Sequence, residues 1–301
     1  MSAEFPELTA VADSIALNGP TAGTPDLAQR ALDFYDRRYS DYPPAVLASE
    51  VARCRRLLLD HQDADSRRVL GWLSAMLGNL AHHSGDPAGA LIHLGTASRI
   101  GADVGDRHLA GWALGAQSMV ATGQERHAEA LELTGQAESH ADTALRRAQS
   151  VAWCRLRPLA AVGDANGLTR AVASARRHME AAEEAPGRFG FDRAEFELHL
   201  AEALVGEDPV AATRHAEVSA GLKRVGSPGW AAATSVLARC HAARHGVDDA
   251  CALAGGVLDA VPPVRMRATT RSRLQTLVSA DLGQQRSPRV RELKERVRAL
   301  N

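Results

Sequence analysis

Aromatic residues make up only 4% of this 301-residue chain, and lysine occurs only twice, at Lys223 and Lys294. Strands favour aromatic and β-branched side chains, so a composition poor in both argues against a sheet-based domain. Apolar runs of about 18 residues are missing, which leaves no candidate transmembrane helix and no membrane partner. The opening stretch MSAEFPELTAVADSIALNGPTAG lacks the basic-then-apolar order of a secretory signal, so a cytoplasmic location is expected. CxxC spacing is absent too. Cys54, Cys154, Cys240 and Cys251 are therefore expected to be buried free thiols. None of GxxxxGK[ST], GxGxxG or GxSxG occurs, which removes the common phosphate-loop, dinucleotide and serine-hydrolase readings and implies no cofactor.

What is present is a helix-forming mixture of Ala, Leu and Arg, 45% apolar and 24% charged. Six glycines, Gly85, Gly123, Gly163, Gly206, Gly246 and Gly283, recur at intervals of 38, 40, 43, 40 and 37 residues. A period in this range marks a repeat array, because one repeat cannot bury its apolar face alone. The flanking order also repeats: GWLSAMLGNLAHHSGDPAGALIHLGTA, WALGAQSMVATGQERHAEALEL and three later segments carry bulky and small residues, then a turn, then small residues. Small residues on both sides of a turn let two helices approach closely. Each ruler glycine is expected to take the positive φ that ends the first helix.

These segments, together with RRYSDYPPAVLASEVARCRRLL and FGFDRAEF, resemble tetratricopeptide repeats. The likeness is to the lengthened form found C-terminal to helix-turn-helix DNA-binding domains in actinobacterial regulators, and it covers roughly residues 27–299. The sequence departs from that pattern in its period near 40, in Pro158 inside an expected helix, and in having no helix-turn-helix before the array. The resemblance implies an all-α fold: a right-handed superhelical solenoid of about six antiparallel helix hairpins behind a leading helical cap. It also implies ligand, peptide or partner binding on the concave face.

The expected organisation is a flexible arm over residues 1–25 and one domain over 26–301, with Thr24 capping the first helix. Pro43-Pro44 breaks the leading pair, and repeats follow at about 66–103, 106–141, 143–184, 189–225, 229–261 and 267–299. From Pro262 to the end, ten Arg/Lys face three acids, so this segment carries +7 and the remainder −8. That asymmetry suits either a solvated capping helix or a surface for an acidic partner. With no basic recognition helix, direct sequence-specific DNA binding is not expected.

In a tetratricopeptide-like superhelix, residues about six before and one after the small packing position face the groove. With Gly78, Ala116, Leu156, His199, Arg239 and Thr276 as those positions, the resemblance implies the groove candidates Trp72, Asn79, Gln117, Trp153, Arg157, Arg193, Glu197 and Arg273. Asn79 and Gln117 suit backbone amides, the arginines suit carboxylate or phosphate, and the tryptophans suit apolar contact or the core. Asn79→Ala and Arg157→Ala are expected to weaken binding without weakening the fold. Asp192 reads as a helix cap, with Phe189 or Phe191 stapled on Phe196. His241 and His245, four apart, are expected on one helix face but without a third ligand, while adjacent His82 and His83 are expected to point apart. The leading functional reading is a non-enzymatic sensor or adaptor linked to transcription, either part of a longer regulator or a standalone protein. The alternatives are an enzyme built in the groove or a dimerising structural scaffold.

Overall fold

Acidic and hydroxyl side chains set the helix starts. Asp63, Asp86, Asp106, Asp164, Asp192 and Asp208 each accept a backbone N–H from three residues ahead, and Thr143, Ser227 and Ser287 do the same with hydroxyls. These are the amides that the first turn of a helix leaves free. A computed structural model describes residues 13–14, 17 and 24–300, and among them the chain is helical throughout with no strand. A leading pair, α1 (Thr24–Arg38) and α2 (Pro44–Arg56), comes first. Then follow α3 (Ala64–Ser84) with α4 (Pro87–Asp103), α5 (Arg107–Gly123) with α6 (His127–His140), and α7 (144–161) with α8 (Ala165–Glu180). The last three pairs are α9 (Arg193–Leu204) with α10 (Pro209–Leu222), α11 (Pro228–Ala243) with α12 (Val247–Ala260), and α13 (268–281) with α14 (Pro288–Arg298). Most of the arm expected over residues 1–25, and the capping side chain of Thr24, lie outside the described residues.

Most consecutive helices pack on one another among the described residues, but across the α8–α9 and α12–α13 connections the packing runs instead between first helices, α7 with α9 and α11 with α13. Buried residues form four clusters that overlap in sequence, spanning 28–80, 75–203, 198–240 and 231–297. No pair holds a core by itself; each completes its neighbour's. The last pair also returns to the first. Helix α13 packs against α3, Arg267 Nη2 donates to Ser40 Oγ at 3.3 Å, and Arg224 lies 3.6 Å from Asp41.

The turn glycines are less uniform than expected. Gly85 (φ 86°) and Gly163 (φ 72°) are left-handed, but Gly123, Gly206, Gly246 and Gly283 are not. In the α5–α6 and α11–α12 turns the left-handed residue is instead Glu125 (φ 61°) or His245 (φ 64°). Gly123 is the last residue of α5, whereas Gly246 is already the N-cap of α12. The marker shared by these turns is the left-handed residue standing just before the next helix's N-cap, whatever its type.

Pro158 lies inside α7 without breaking it. Ser150–Arg155 form a π turn, and the Leu156 amide reaches back five residues to the Val151 carbonyl. A proline orphans the carbonyl four residues earlier, here that of Cys154, which Ser118 Oγ approaches at 3.5 Å. All four cysteines are buried and free.

Two glycines of α4 give opposite forecasts. A Cβ at Gly101 would lie 2.6 Å from the backbone nitrogen of Ala110, while one at Gly95 would meet nothing within 4 Å. Gly→Ala inside a helix ordinarily stabilises by roughly 0.5–1 kcal/mol. Gly95→Ala is expected to follow that rule, and Gly101→Ala to destabilise by about 1–3 kcal/mol. Urea unfolding checks this; equal shifts at both positions would contradict the close α4–α5 approach.

Candidate functional site

The first helix of every repeat pair sends side chains into one internal chamber. Its walls are Asn79, His82 and His83 of α3, Met119 and Val120 of α5, and Trp153 and Arg157 of α7. Opposite them stand Glu195, His199 and Glu202 of α9, Arg239 of α11, and Thr269, Arg273 and Thr276 of α13. The space divides into two adjoining compartments of about 80 and 240 Å³, which share His82, Met119, Val120, Arg157, Thr269 and Arg273. Together they reach the lower end of the range that holds small organic molecules.

One end is stopped by the chain's own loop between α8 and α9. Phe189 inserts between Trp72 and Trp112, with ring centroids 4.5 and 5.0 Å away, and Trp153 extends the stack 5.3 Å from Trp112. The loop is tied down at two adjacent residues. The Phe189 amide donates to Asp36 Oδ1 at 3.0 Å, and Gln149 Nε2 donates to the Gly190 carbonyl at 3.0 Å. Arg188 thereby places its guanidinium 5.5 Å from the Tyr39 ring centroid, and Arg267 lies 5.0 Å from that same ring.

At the centre stands Glu202, its side chain only 4% exposed. Arg273 Nε donates to Glu202 Oε1 at 2.7 Å, while Arg157 Nη1 and His199 Nδ1 stand 3.8 Å from Oε2, too far for a hydrogen bond. Glu195 is held by Lys223 at 2.8 Å, and Arg239 by Asp281 at 2.7 Å. Burial pushes Glu195 up, but Lys223 and Arg188 outweigh it and hold this carboxyl down at about 2. Burial likewise raises Glu202, yet Arg157 and Arg273 keep it well below the usual carboxylate range. Both are permanent anions. Burial, and then the nearby Arg157 and Arg273, lower His82 to about 4, and burial with Arg267 lowers His83 well below its ordinary value. Both imidazoles are neutral at physiological pH.

Of the eight groove candidates, Asn79, Trp153, Arg157 and Arg273 line this chamber. Trp72 belongs to the aromatic stack under Phe189, and its indole N–H donates to Asp106 Oδ2 at 3.1 Å. Gln117 does not line it; its amide bonds back to the Ala113 carbonyl at 3.3 Å. Arg193 and Glu197 pair with each other at 3.2 Å and line a separate surface cleft with His215, which bonds Glu197 at 2.5 Å. The cause is the slipping glycine ruler. Six residues before the left-handed residues Gly85, Glu125, Gly163 and His245 stand Asn79, Met119, Arg157 and Arg239, all facing the chamber. Counting instead from Gly123 lands two residues early, on Gln117, and two residues turn a helix by about 200°.

Other expectations need correction. Asn79 is buried and accepts from the Tyr39 hydroxyl at 2.5 Å, and Arg157 faces buried Glu202, so truncating either one also weakens the fold. His245 lies in the turn beyond α11 and so shares no helix face with His241, and among the described residues no group of three metal-ligating side chains forms. His82 and His83 both reach the chamber, with ring centroids 5.7 Å apart. The C-terminal basic segment is divided: Arg265, Arg286, Arg289, Arg291 and Arg298 are exposed, as on a solvated capping face, while others turn inward or pair. Arg267 and Arg273 line the chamber, Arg271 bonds the Met266 carbonyl, and Arg289 and Arg296 pair with Asp248 and Asp259. Asp192 caps α9, and Phe191 meets Phe196 edge-on at 6.4 Å.

No family model matches the sequence, and no curated protein does.

The neutral histidines carry a pH signature. Their folded-state values lie below 6.5, so the unfolded chain binds more protons, and stability rises with pH across that window. Stability is expected to be complete above about pH 6.5 and to fall toward pH 4, by up to about 1.4 kcal/mol per pH unit for each such group. Denaturant midpoints measured from pH 7.5 to 4.5 check this, and His82→Gln should flatten the slope; a flat profile in the unsubstituted protein would contradict the burial of both rings.

Proposed function

We propose that the protein is a non-enzymatic sensor whose helix pairs wind as a right-handed, tetratricopeptide-like superhelix around a small-molecule site. The observation that carries this reading is the loop plug. Phe189 covers the Trp72 and Trp112 rings that would otherwise offer an extended peptide an apolar track, while the neighbouring chamber, which Arg188 of the same loop lines, stays polar. The shared inward position of Asn79, Met119, Arg157 and Arg239 supports a superhelix with its first helices inside. Glu195 and Glu202 are held ionised and His82 and His83 neutral at physiological pH, which favours recognition over proton transfer at these four groups. A link to transcription, in an actinobacterium and in the cytoplasm, rests on the resemblance of the repeats alone.

Met119 lines both compartments and is free of the polar network, so Met119→Trp fills the site while sparing the charges. In a thermal-shift screen of charged metabolites and eight-residue peptides, at least one small molecule is expected to raise the melting temperature. Met119→Trp should abolish that rise and keep its own melting point within a few degrees. A peptide whose stabilising effect survives Met119→Trp would contradict the proposal.

A further inference from the structure

The two compartments are walled by five arginines, Arg157, Arg188, Arg239, Arg267 and Arg273, against two carboxylates, Glu195 and Glu202, an excess of three positive charges. The rim pairs do not change that excess, because Lys223 serves Glu195 and Asp281 serves Arg239. Two further acids lie nearby: Asp192, 3.7 Å from Lys223, and Asp36 behind the plug. Asp36 accepts the Phe189 amide and faces Arg188, so with both acids counted the region still carries a positive excess. Arginine does not shed its proton, so this charge cannot be relieved by titration, as the two histidines relieve theirs.

Arg188 and Arg267 carry the surplus. Neither forms an ion pair among the described residues: Arg267 reaches only the Ser40 hydroxyl at 3.3 Å, and both guanidiniums rest on the Tyr39 ring. Polar atoms around them are buried without partners, namely Arg188 Nε, both ring nitrogens of His83, and Nδ1 of His199, a residue only 4% exposed. Buried unpaired donors and unpaired charge each disfavour the empty chamber. Burial, opposed by Tyr39 and reinforced by Arg188, also lowers Arg267 to about 10.

We propose that the chamber binds a small organic or inorganic dianion or trianion, a phosphate or a polycarboxylate, bridging Arg188 and Arg267 at the plugged end and Arg157 and Arg273 at the other. This rests on the chamber being the ligand site and names the class of ligand it takes. Guanidinium forks match both carboxylate and phosphate oxygens, so the shared requirement is two or more negative charges. Apolar Trp153, Met119 and Leu198 line the same compartment as the four arginines and suit a short carbon spacer.

The test is calorimetric titration at constant ionic strength with inorganic phosphate, succinate, citrate and, as a monoanion, acetate. Saturable one-to-one binding of a dianion or trianion is expected at least about tenfold tighter than acetate. Arg267→Gln and Arg188→Gln, which break no carboxylate pair, should each weaken it about tenfold or more. Arg193→Gln, on the separate surface cleft, should leave it unchanged. Preference for phosphate over succinate and citrate identifies a phosphate ligand, and the reverse a polycarboxylate; either result supports the proposal. Absence of saturable binding by all three polyanions overturns the ligand class, and the small-molecule reading then stands if an uncharged compound still shows a melting shift that Met119→Trp abolishes. Binding that is lost in Arg193→Gln but kept in Arg267→Gln moves the site out of the chamber and overturns both.

Discussion

One buried carboxylate ties the middle of the repeat array to its last pair. Glu202 on α9 is reached by Arg273 on α13 and faced by Arg157 on α7, so three helix pairs depend on a single charge with its side chain 4% exposed. Such a group folds only if its partners arrive with it, since a lone buried carboxylate is strongly disfavoured. The cluster therefore holds the first helices around a common space instead of letting the pairs splay. Arg267 and Arg224, which reach back to Ser40 and Asp41 in the turn after α1, fasten the same closure at its rim.

The charge that closes the chamber also gives it its character. One glutamate cannot neutralise two arginines, and the plug adds Arg188 while the α12–α13 linker adds Arg267. Structure and selectivity are thus one feature. The aromatic cluster of Trp72, Trp112 and Phe189 packs beside the chamber, and on the proposed reading the arginines select what binds in it.

Much of the architecture was legible in the sequence because helix signals are local. Asp or Ser caps, Pro at first turns and small residues beside the turns all act within a few positions, and so the helical class and the succession of packed pairs could be read directly. Facing was harder. A glycine count assumes that the left-handed residue is always glycine, yet Glu125 and His245 take that role, and the slip sent Gln117 away from the chamber. Arg193 and Glu197 missed it for a related reason: the α9–α10 turn holds no left-handed residue at all from which to count. The plug was illegible for a different reason. FGFDRAEF shows a cap and a staple, which are local, but the contact of Phe189 with Trp72 and of its amide with Asp36 joins residues more than a hundred positions apart. The same holds for Arg267, which reads as part of a basic tail until α13 is seen against α3.

The central claim is that Glu202 and Arg273, 71 positions apart, form the buried link that closes the array around the chamber. A double-mutant cycle with Glu202→Gln, Arg273→Gln and the double variant, read by urea unfolding, tests it most directly. Each single change should destabilise by about 3–5 kcal/mol, and the double variant should fall well short of their sum. Additivity within about 0.5 kcal/mol would contradict the account.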